Sequence, residues 1–558
     1  MTFKGSIGIN NSKMTKFYVN NLRLQNGELG SISGALASDD KNSKMASWVP
    51  ESRSSTDVLI STAKPRLLPQ LMAALFSCWI NLASGASLGY ATPALPSLQG
   101  PESKLQITEN QGSWVASLVM LGALGGGILS GPFISLGRRR ALWIVAVPLT
   151  FAWILIAFAQ DVWSLYIAHL ILGGCLGIVS DASQLYVSET ASPQWRGALG
   201  CIPVLMFNVG ILISYLAGMW LSWEQLALFG CFLSLPAIGL PFLFPESPSY
   251  LVARGRVDAA ISALRKLRGS DFDITAEYQE LLHCEKGPGL LERVRGLCDK
   301  EILRPLFLTA AIRALSRFCG MRAILCYTQT ILISSHSSID VEICTVIVGA
   351  VQLVATLIAC GLLDRLGRRK LLITSQAVMG LSIVGLAFYH YYHNDLQDDK
   401  FLGWIPITAI ILYITANSIG LGPVSGIIIG ELVPQRHRSI ASSITGAISW
   451  LSAFIVTKSF LDLTSALKLH GTLWLYGAIC VMGVPFVYLA LPETRGISQY
   501  GIEVLFKSKN DQSTEKKDPK MGQNKALVVV QVQTEKAVMC NDNSTKNNGV
   551  SSLGNLSV

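Results

Sequence analysis

The sequence predicts an all-α membrane protein of about twelve transmembrane helices, arranged as two pseudo-symmetric six-helix bundles. Three observations predict this. Half of the 558 residues are hydrophobic and 15% are charged, with a mean hydropathy of +0.43, whereas a soluble chain carries nearer a quarter charged residues. Uncharged stretches long enough to cross a bilayer, about 20 residues each, recur along the chain. Two charged signatures also occur twice, at matching places in the two halves.

In order, the uncharged stretches run 67–101, 111–137, 141–160, 162–180, 197–223, 225–245, 343–363, 371–394, 401–430, 439–457 and 469–492. The stretch 305–333 is apolar but interrupted by Arg313, Arg317 and Arg322. Its length, and the parity of the crossings, make it span seven. Membrane helices are apolar nearly all round, so periodicity adds little.

Basic residues orient the spans. Arg138, Arg139, Arg140, Arg196, Arg365, Arg368, Arg369, Lys370, Arg436 and Arg438 fall in every second loop, and the opposite loops hold mainly Lys104, Lys400 and Lys468. The positive-inside rule places both termini in the cytoplasm. The expected organisation is a cytoplasmic tail over 1–66, a bundle over 67–245, a linker with short helices over 246–304, a second bundle over 305–507 and a second tail over 508–558. The tails are polar and rich in Ser, Asn and Lys, a composition of disordered segments. Sequons at Asn543 and Asn555 would face the cytoplasm. The first residues lack the apolar core of a signal peptide. The net charge of +9 sits between apolar spans, which suits a membrane face and not nucleic acid. The twelve cysteines are scattered and mostly inside spans, with no metal or disulfide spacing. No nucleophile–base constellation emerges, so neither an enzyme nor a cofactor is expected. The expected partners are the lipid bilayer and a small-molecule solute.

Gly131-Pro-Phe-Ile-Ser-Leu-Gly-Arg-Arg-Arg follows span two, and Gly361-Leu-Leu-Asp-Arg-Leu-Gly-Arg-Arg-Lys follows span eight. Glu189 precedes Arg196 by the same seven positions that separate Glu431 from Arg438. Two signatures in register indicate parallel repeats, an architecture of secondary transporters that puts the solute site between the halves. Arginine presents a planar fork to a carboxylate on a neighbouring helix. Glu189, Arg196, Asp364, Arg365, Arg368, Glu431 and Arg438 are the candidate gating and salt-bridge residues. Arg140 and Lys370 read as headgroup anchors.

These residues also carry a family resemblance. YVSETASPQWRG (186–197), PESPSYL (245–251), GLLDRLGRR (361–369), GLGP…GELVP…R (420–438) and LPETRG (491–496) resemble, in order, the signatures of the sugar-porter branch of the major facilitator superfamily. RGRVDAAISALRKLRG (254–269) resembles that family's cytoplasmic domain, and FIVTKSF (454–460) is similar to the insect facilitated trehalose transporters. The resemblance covers roughly 65–505. It implies two six-helix bundles around a central cavity and alternating access, without naming the solute.

The departures from the family fall on the site that the resemblance implies. Span seven of a sugar porter usually reads Gln-Gln-x-Ser-Gly-x-Asn…Tyr, whose amides suit neutral hydroxyls because they both donate and accept. Here Ser316 and Arg317 replace the glutamines, Arg322 replaces the asparagine, and Tyr327 is kept. Gly426 stands where span ten usually has tryptophan, Val204 where span five usually has glutamine, and His169 where span four usually has arginine. Gln352 and Trp450 remain candidate pocket members. An arginine within a membrane helix costs about 2.5–3.5 kcal/mol on insertion scales and is normally paired and turned to a cavity. Asp181 in span four is the clearest partner, for Arg313 or Arg317. Two readings stay open: a cationic pocket for an acidic or phosphorylated solute, or arginines neutralised internally in an altered pocket.

The span-one stretch Gly89-Tyr90-Ala91-Thr92 lacks the carboxylate that proton-coupled relatives carry there, which favours passive uniport at the cell membrane unless Asp181 serves. No phosphate-binding loop for a nucleotide is present. The expected function is facilitative transport of a hexose or trehalose-like sugar. The alternatives are a carrier of another, anionic solute and a non-transporting sensor or receptor.

Overall fold

A computed structural model describes residues 65–101, 103–269, 272–283, 300–334, 340–392, 404–434 and 437–493. Apart from Pro65 and Arg66, the expected tails lie outside these residues, as do Arg436, Asn543 and Asn555, and of Asp364 and Arg365 only the backbone is described. The described residues are helical apart from short connections.

The first half consists of α1 (Leu67–Gln99), α2 (Glu109–Ser135), α3 (Arg138–Ala157), α4 (Val162–Thr190), the short α5 (Arg196–Gly200) leading into α6 (Ile202–Ala217), and α7 (Trp223–Ser234) continued by α8 (Pro236–Gly239). Short helices α9 (Pro248–Ala253), α10 (Val257–Arg268) and α11 (Thr275–His283) follow. The second half holds α12 (Lys300–Phe318), α13 (Met321–Cys326), α14 (Thr328–Ser334), α15 (Val341–Leu366), α16 (Arg368–Tyr392), α17 (Ile405–Ala416), α18 (Gly422–Leu432) and α19 (Arg438–Ala490).

Among the described residues, ten helices are long and apolar enough to cross a membrane. Two observations bring this count into line with twelve. The 53 residues of α19 would extend about 80 Å as one helix, far beyond a hydrocarbon core of about 30 Å. The backbone breaks at Lys468 (φ 59°, ψ 168°), which divides α19 into two crossings. Span seven is a third kind of helix, interrupted at Gly320 between α12 and α13. There φ is +92°, and a Cβ would lie 2.5 Å from the ring of Tyr476, so no other residue fits that break without displacing the ring. Broken helices of this kind occur in membrane proteins where the backbone lines a cavity.

Glycine sets how closely the helices approach. A Cβ at Gly126 would stand 2.0 Å from Gly174 O, and one at Gly177 2.4 Å from Ala123 O, which brings α2 and α4 backbone to backbone. In lipid, where apolar surface alone does not drive association, such close van der Waals packing holds helices together. Gly85 and Gly210 do the same for α1 and α6, with 2.0 Å to Phe207 O and to Leu82 O.

The linker helices are docked onto the first half by Tyr250 and Arg254, which donate to Leu136 O at 2.9 Å and Ser135 O at 2.8 Å, and by a buried guanidinium. Arg268, 1% exposed, donates to both carboxylate oxygens of Glu277 at 2.9 and 2.5 Å and to Thr190 O at 2.6 Å. Its own carbonyl accepts from Arg66 N at 3.0 Å. The starts of α1 and α11 and the end of α4 therefore meet at α10.

Candidate functional site

The two repeated signatures build the same cluster twice. In the first half, Arg138 at the start of α3 donates to Glu189 near the end of α4 at 2.7 Å. The other Glu189 oxygen accepts from Ser247 Oγ, and Arg139 N donates to Glu246 at 3.0 Å. In the second half, Arg368 donates to Glu431 at 2.8 Å, and its backbone N donates to Glu493 at 3.1 Å. Each glutamate of the PES and PET segments thus accepts from the first backbone N–H groups of the helix after the glycine turn, groups that have no intrahelical partner. All these contacts lie within one half. Arg196 is exposed at the start of α5, and Arg438 begins α19. Sequence reasoning missed Arg138 as the partner of Glu189, although the gapless repeat aligns it with Arg368.

At the opposite end the halves touch. Lys458 of α19 donates to Asn110 Oδ1 at 3.0 Å and Ser113 Oγ at 2.7 Å on α2, and lies over the ring of Trp114. Thr92 of α1 donates to Leu325 O at 2.9 Å. A seam between α6 and α15 runs further. Tyr215 packs on Gly349, 2.8 Å from its Cβ position. Asn208 donates to Thr356 Oγ1 at 2.8 Å and accepts from Gln352 at 3.2 Å. The thiols of Cys201 and Cys360 meet in hydrogen-bonding contact.

The span-seven arginines stand between these two ends. Arg313, half-buried, donates from Nε to Ser425 O at 3.3 Å and interacts electrostatically with Asp181 of the other half. Asp181 is exposed and accepts from Ser130 Oγ at 2.7 Å, so the pair borders a crevice between the halves. The guanidinium of Arg313 fills space left by two glycines: Nη2 is 3.7 Å from a Cβ at Gly426, and Nη1 is 3.8 Å from one at Gly446. A tryptophan at 426 would occupy the place of this guanidinium. Arg317 donates to Ser449 Oγ at 2.8 Å, with its guanidinium carbon 5.9 Å from the centre of the Trp450 ring. Trp450 in turn lies 3.8 Å from a Cβ at Gly127 of α2. Arg322 lines a small enclosed cavity with Leu88, Ile211, Tyr215, Leu325 and Cys326, with room for about one water. Its Nε is shut from solvent without a hydrogen-bond partner.

Of the expected pocket members, the structure brings together Arg317 and Trp450. Gln352 belongs to the seam with Asn208. Tyr327 is 3% exposed and stacks on Phe460 at 4.8 Å, within the core.

The model of the family described as "Sugar (and other) transporter" matches residues 69–506. The chain belongs to this sugar transporter family. A facilitated trehalose transporter of Polypedilum vanderplanki is 36% identical over 439 residues, 78% of this chain and 87% of that protein. A homologous facilitated trehalose transporter of Drosophila simulans is 38% identical over 442 residues, 78% of this chain and 90% of that one. Among solved structures, the inward-open xylose transporter XylE from E. coli superposes with a TM-score of 0.65 at 23% identity, over 78% of this chain and 99% of that one. That likeness establishes the fold of this family member: the major facilitator arrangement of two six-helix bundles.

Proposed function

We propose that this chain carries a sugar, hexose or trehalose-like, passively across the plasma membrane by alternating access, with both termini, the 246–304 linker and the two tails on the cytoplasmic side. The observation that carries the reading is the match to facilitated trehalose transporters over nearly their whole length, 87% and 90% of two of them. The geometry agrees with it. Contacts between the halves begin at the end away from the arginine-rich loops and run along the α6–α15 seam, while the ion pairs at the arginine-rich end stay within each half. The crevice that Asp181 and Arg313 border between the halves is where an alternating-access carrier holds its solute. The absence of a carboxylate from α1, Leu67 to Gln99, supports passive transport.

The test is flux into proteoliposomes holding the purified full-length chain. Saturable entry of labelled trehalose or glucose, ending at equal concentrations inside and out, is the expected result. Accumulation driven by an imposed proton gradient would overturn the passive mechanism. Absence of flux for every sugar tried would overturn transport.

A further inference from the structure

We propose that the solute accepted in the central crevice is a carbohydrate bearing an anionic group, a sugar acid or sugar phosphate, whose carboxylate or phosphate lies against the guanidinium of Arg317. This rests on the sugar-transport reading and narrows it.

The argument begins with charge. Three guanidiniums occupy one stretch of span seven, and the electrostatic neighbours of Arg317 are Arg313 and Arg322, both of its own sign. Guanidinium stays protonated in proteins, so this repulsion is not relieved by losing a proton. Asp181 acts on Arg313 and neutralises at most one of the three charges. Among the described residues, the side chain of Arg317 makes one protein hydrogen bond, to Ser449. That of Arg313 also makes one, to Ser425 O, and Nε of Arg322 makes none. Donors and positive charge thus remain in excess along span seven, whose Arg313 borders the crevice. Placing arginine at membrane depth is costly unless something compensates it.

The chemistry of the excess selects the ligand. A neutral sugar presents hydroxyls that must both donate and accept, and is best met by groups that do the same. Guanidinium only donates, so a neutral hydroxyl would leave its charge uncompensated. A carboxylate or phosphate accepts two parallel N–H bonds from the planar fork and cancels the charge. Trp450, half-buried beside Arg317, offers a flat apolar surface for the C–H face of a sugar ring. An anion alone would not use that surface, and a neutral sugar would accept from the fork without cancelling its charge.

The experiment measures uptake of labelled glucuronate, glucose 6-phosphate, glucose and trehalose into proteoliposomes containing the full chain. Glucuronate or glucose 6-phosphate should enter at least about tenfold faster than glucose. Because the solute carries charge, its accumulation at equilibrium should change about tenfold per 59 mV of membrane potential for a monovalent anion. Arg317→Gln, shown to be folded by its thermal unfolding in detergent, should reduce the preference for the anionic sugar about tenfold or more, and Arg317→Lys should restore part of it. Should Arg317→Gln fail to fold, competition between the four solutes in the unaltered protein decides. Entry of neutral sugars with no entry or competition by the anionic ones would overturn the proposal while leaving sugar transport intact. Inorganic phosphate competing as strongly as glucose 6-phosphate would overturn its carbohydrate part. Were no sugar to enter, transport itself would fail. Thermal stabilisation by glucuronate or glucose 6-phosphate but not by glucose would then still support the anionic site, and stabilisation by none would overturn it.

Discussion

The guanidinium of Arg138 donates to the carboxylate of Glu189 at 2.7 Å, and the same contact recurs between Arg368 and Glu431 at 2.8 Å in the second half. In the first pair, the side chains are only 17% and 14% exposed, so the contact is largely sheltered from screening by salt. A double-mutant cycle with Arg138→Ala and Glu189→Ala should give a coupling of about 1–3 kcal/mol in thermal unfolding. The exchanged pair Arg138→Glu with Glu189→Arg should recover part of the loss. A coupling near zero would mean the pair behaves as an exposed ion pair.

Arg268 holds the linker helices to the first bundle, and its removal strands Glu277 and the carbonyl of Thr190. Arg268→Ala should destabilise the protein by about 3 kcal/mol, the usual effect of breaking a buried pair from one side. Arg268→Lys should rescue little, because an ammonium cannot bond both oxygens of Glu277 and Thr190 O in one plane. Full rescue by lysine, read from unfolding temperatures, would refute the planar requirement.

Gly320→Ala places a methyl in a left-handed backbone conformation and against the Tyr476 ring. The backbone term alone costs about 1–2 kcal/mol. The variant should lose transport and thermal stability together, and Tyr476→Ala in the same chain should return part of the stability by vacating the space. If Gly320→Ala transports normally, the break in span seven is not needed as it stands.

Cys201 and Cys360 meet across the α6–α15 seam from opposite halves. Mild oxidation of the purified protein should therefore join them, with mass spectrometry detecting a disulfide-linked peptide that vanishes in Cys201→Ser and in Cys360→Ser. The linked protein should stop cycling if the seam opens during transport, and reduction should restore flux. Failure to cross-link would show that the two thiols do not approach to bonding distance.

Much of the architecture was legible in the order of residues. Lipid replaces water around each span, so long apolar runs mark the crossings without knowledge of their neighbours. The signature after span two, repeated after span eight, predicted two related halves, and the doubled clusters at Arg138 and Arg368 follow that repeat. The crossings least visible by length and composition were those with local breaks. Span seven is interrupted by three arginines and Gly320, whereas spans eleven and twelve, separate as the stretches 439–457 and 469–492, join into one helix broken at Lys468.

Site details were legible only in part. The sequence marked Arg317 as a departure and Trp450 as a remaining candidate of the expected pocket, and the two meet. It could not show that Gly426 and Gly446 open the space that Arg313 fills, since those glycines lie more than a hundred positions from it. It also gave no sign that Tyr327, matched by its motif alone, stacks on Phe460 within the core.

By itself, then, the sequence determined that lipid surrounds the spans and that the plan is twofold, because hydropathy and charge act locally and are written residue by residue. Only the tertiary structure decided which carboxylate meets which guanidinium, and that among the described residues the Arg317 side chain makes one protein hydrogen bond. Those outcomes depend on how closely the helices approach, and for α2 with α4 and α1 with α6 that spacing is set by backbone contact at glycines distant in the chain.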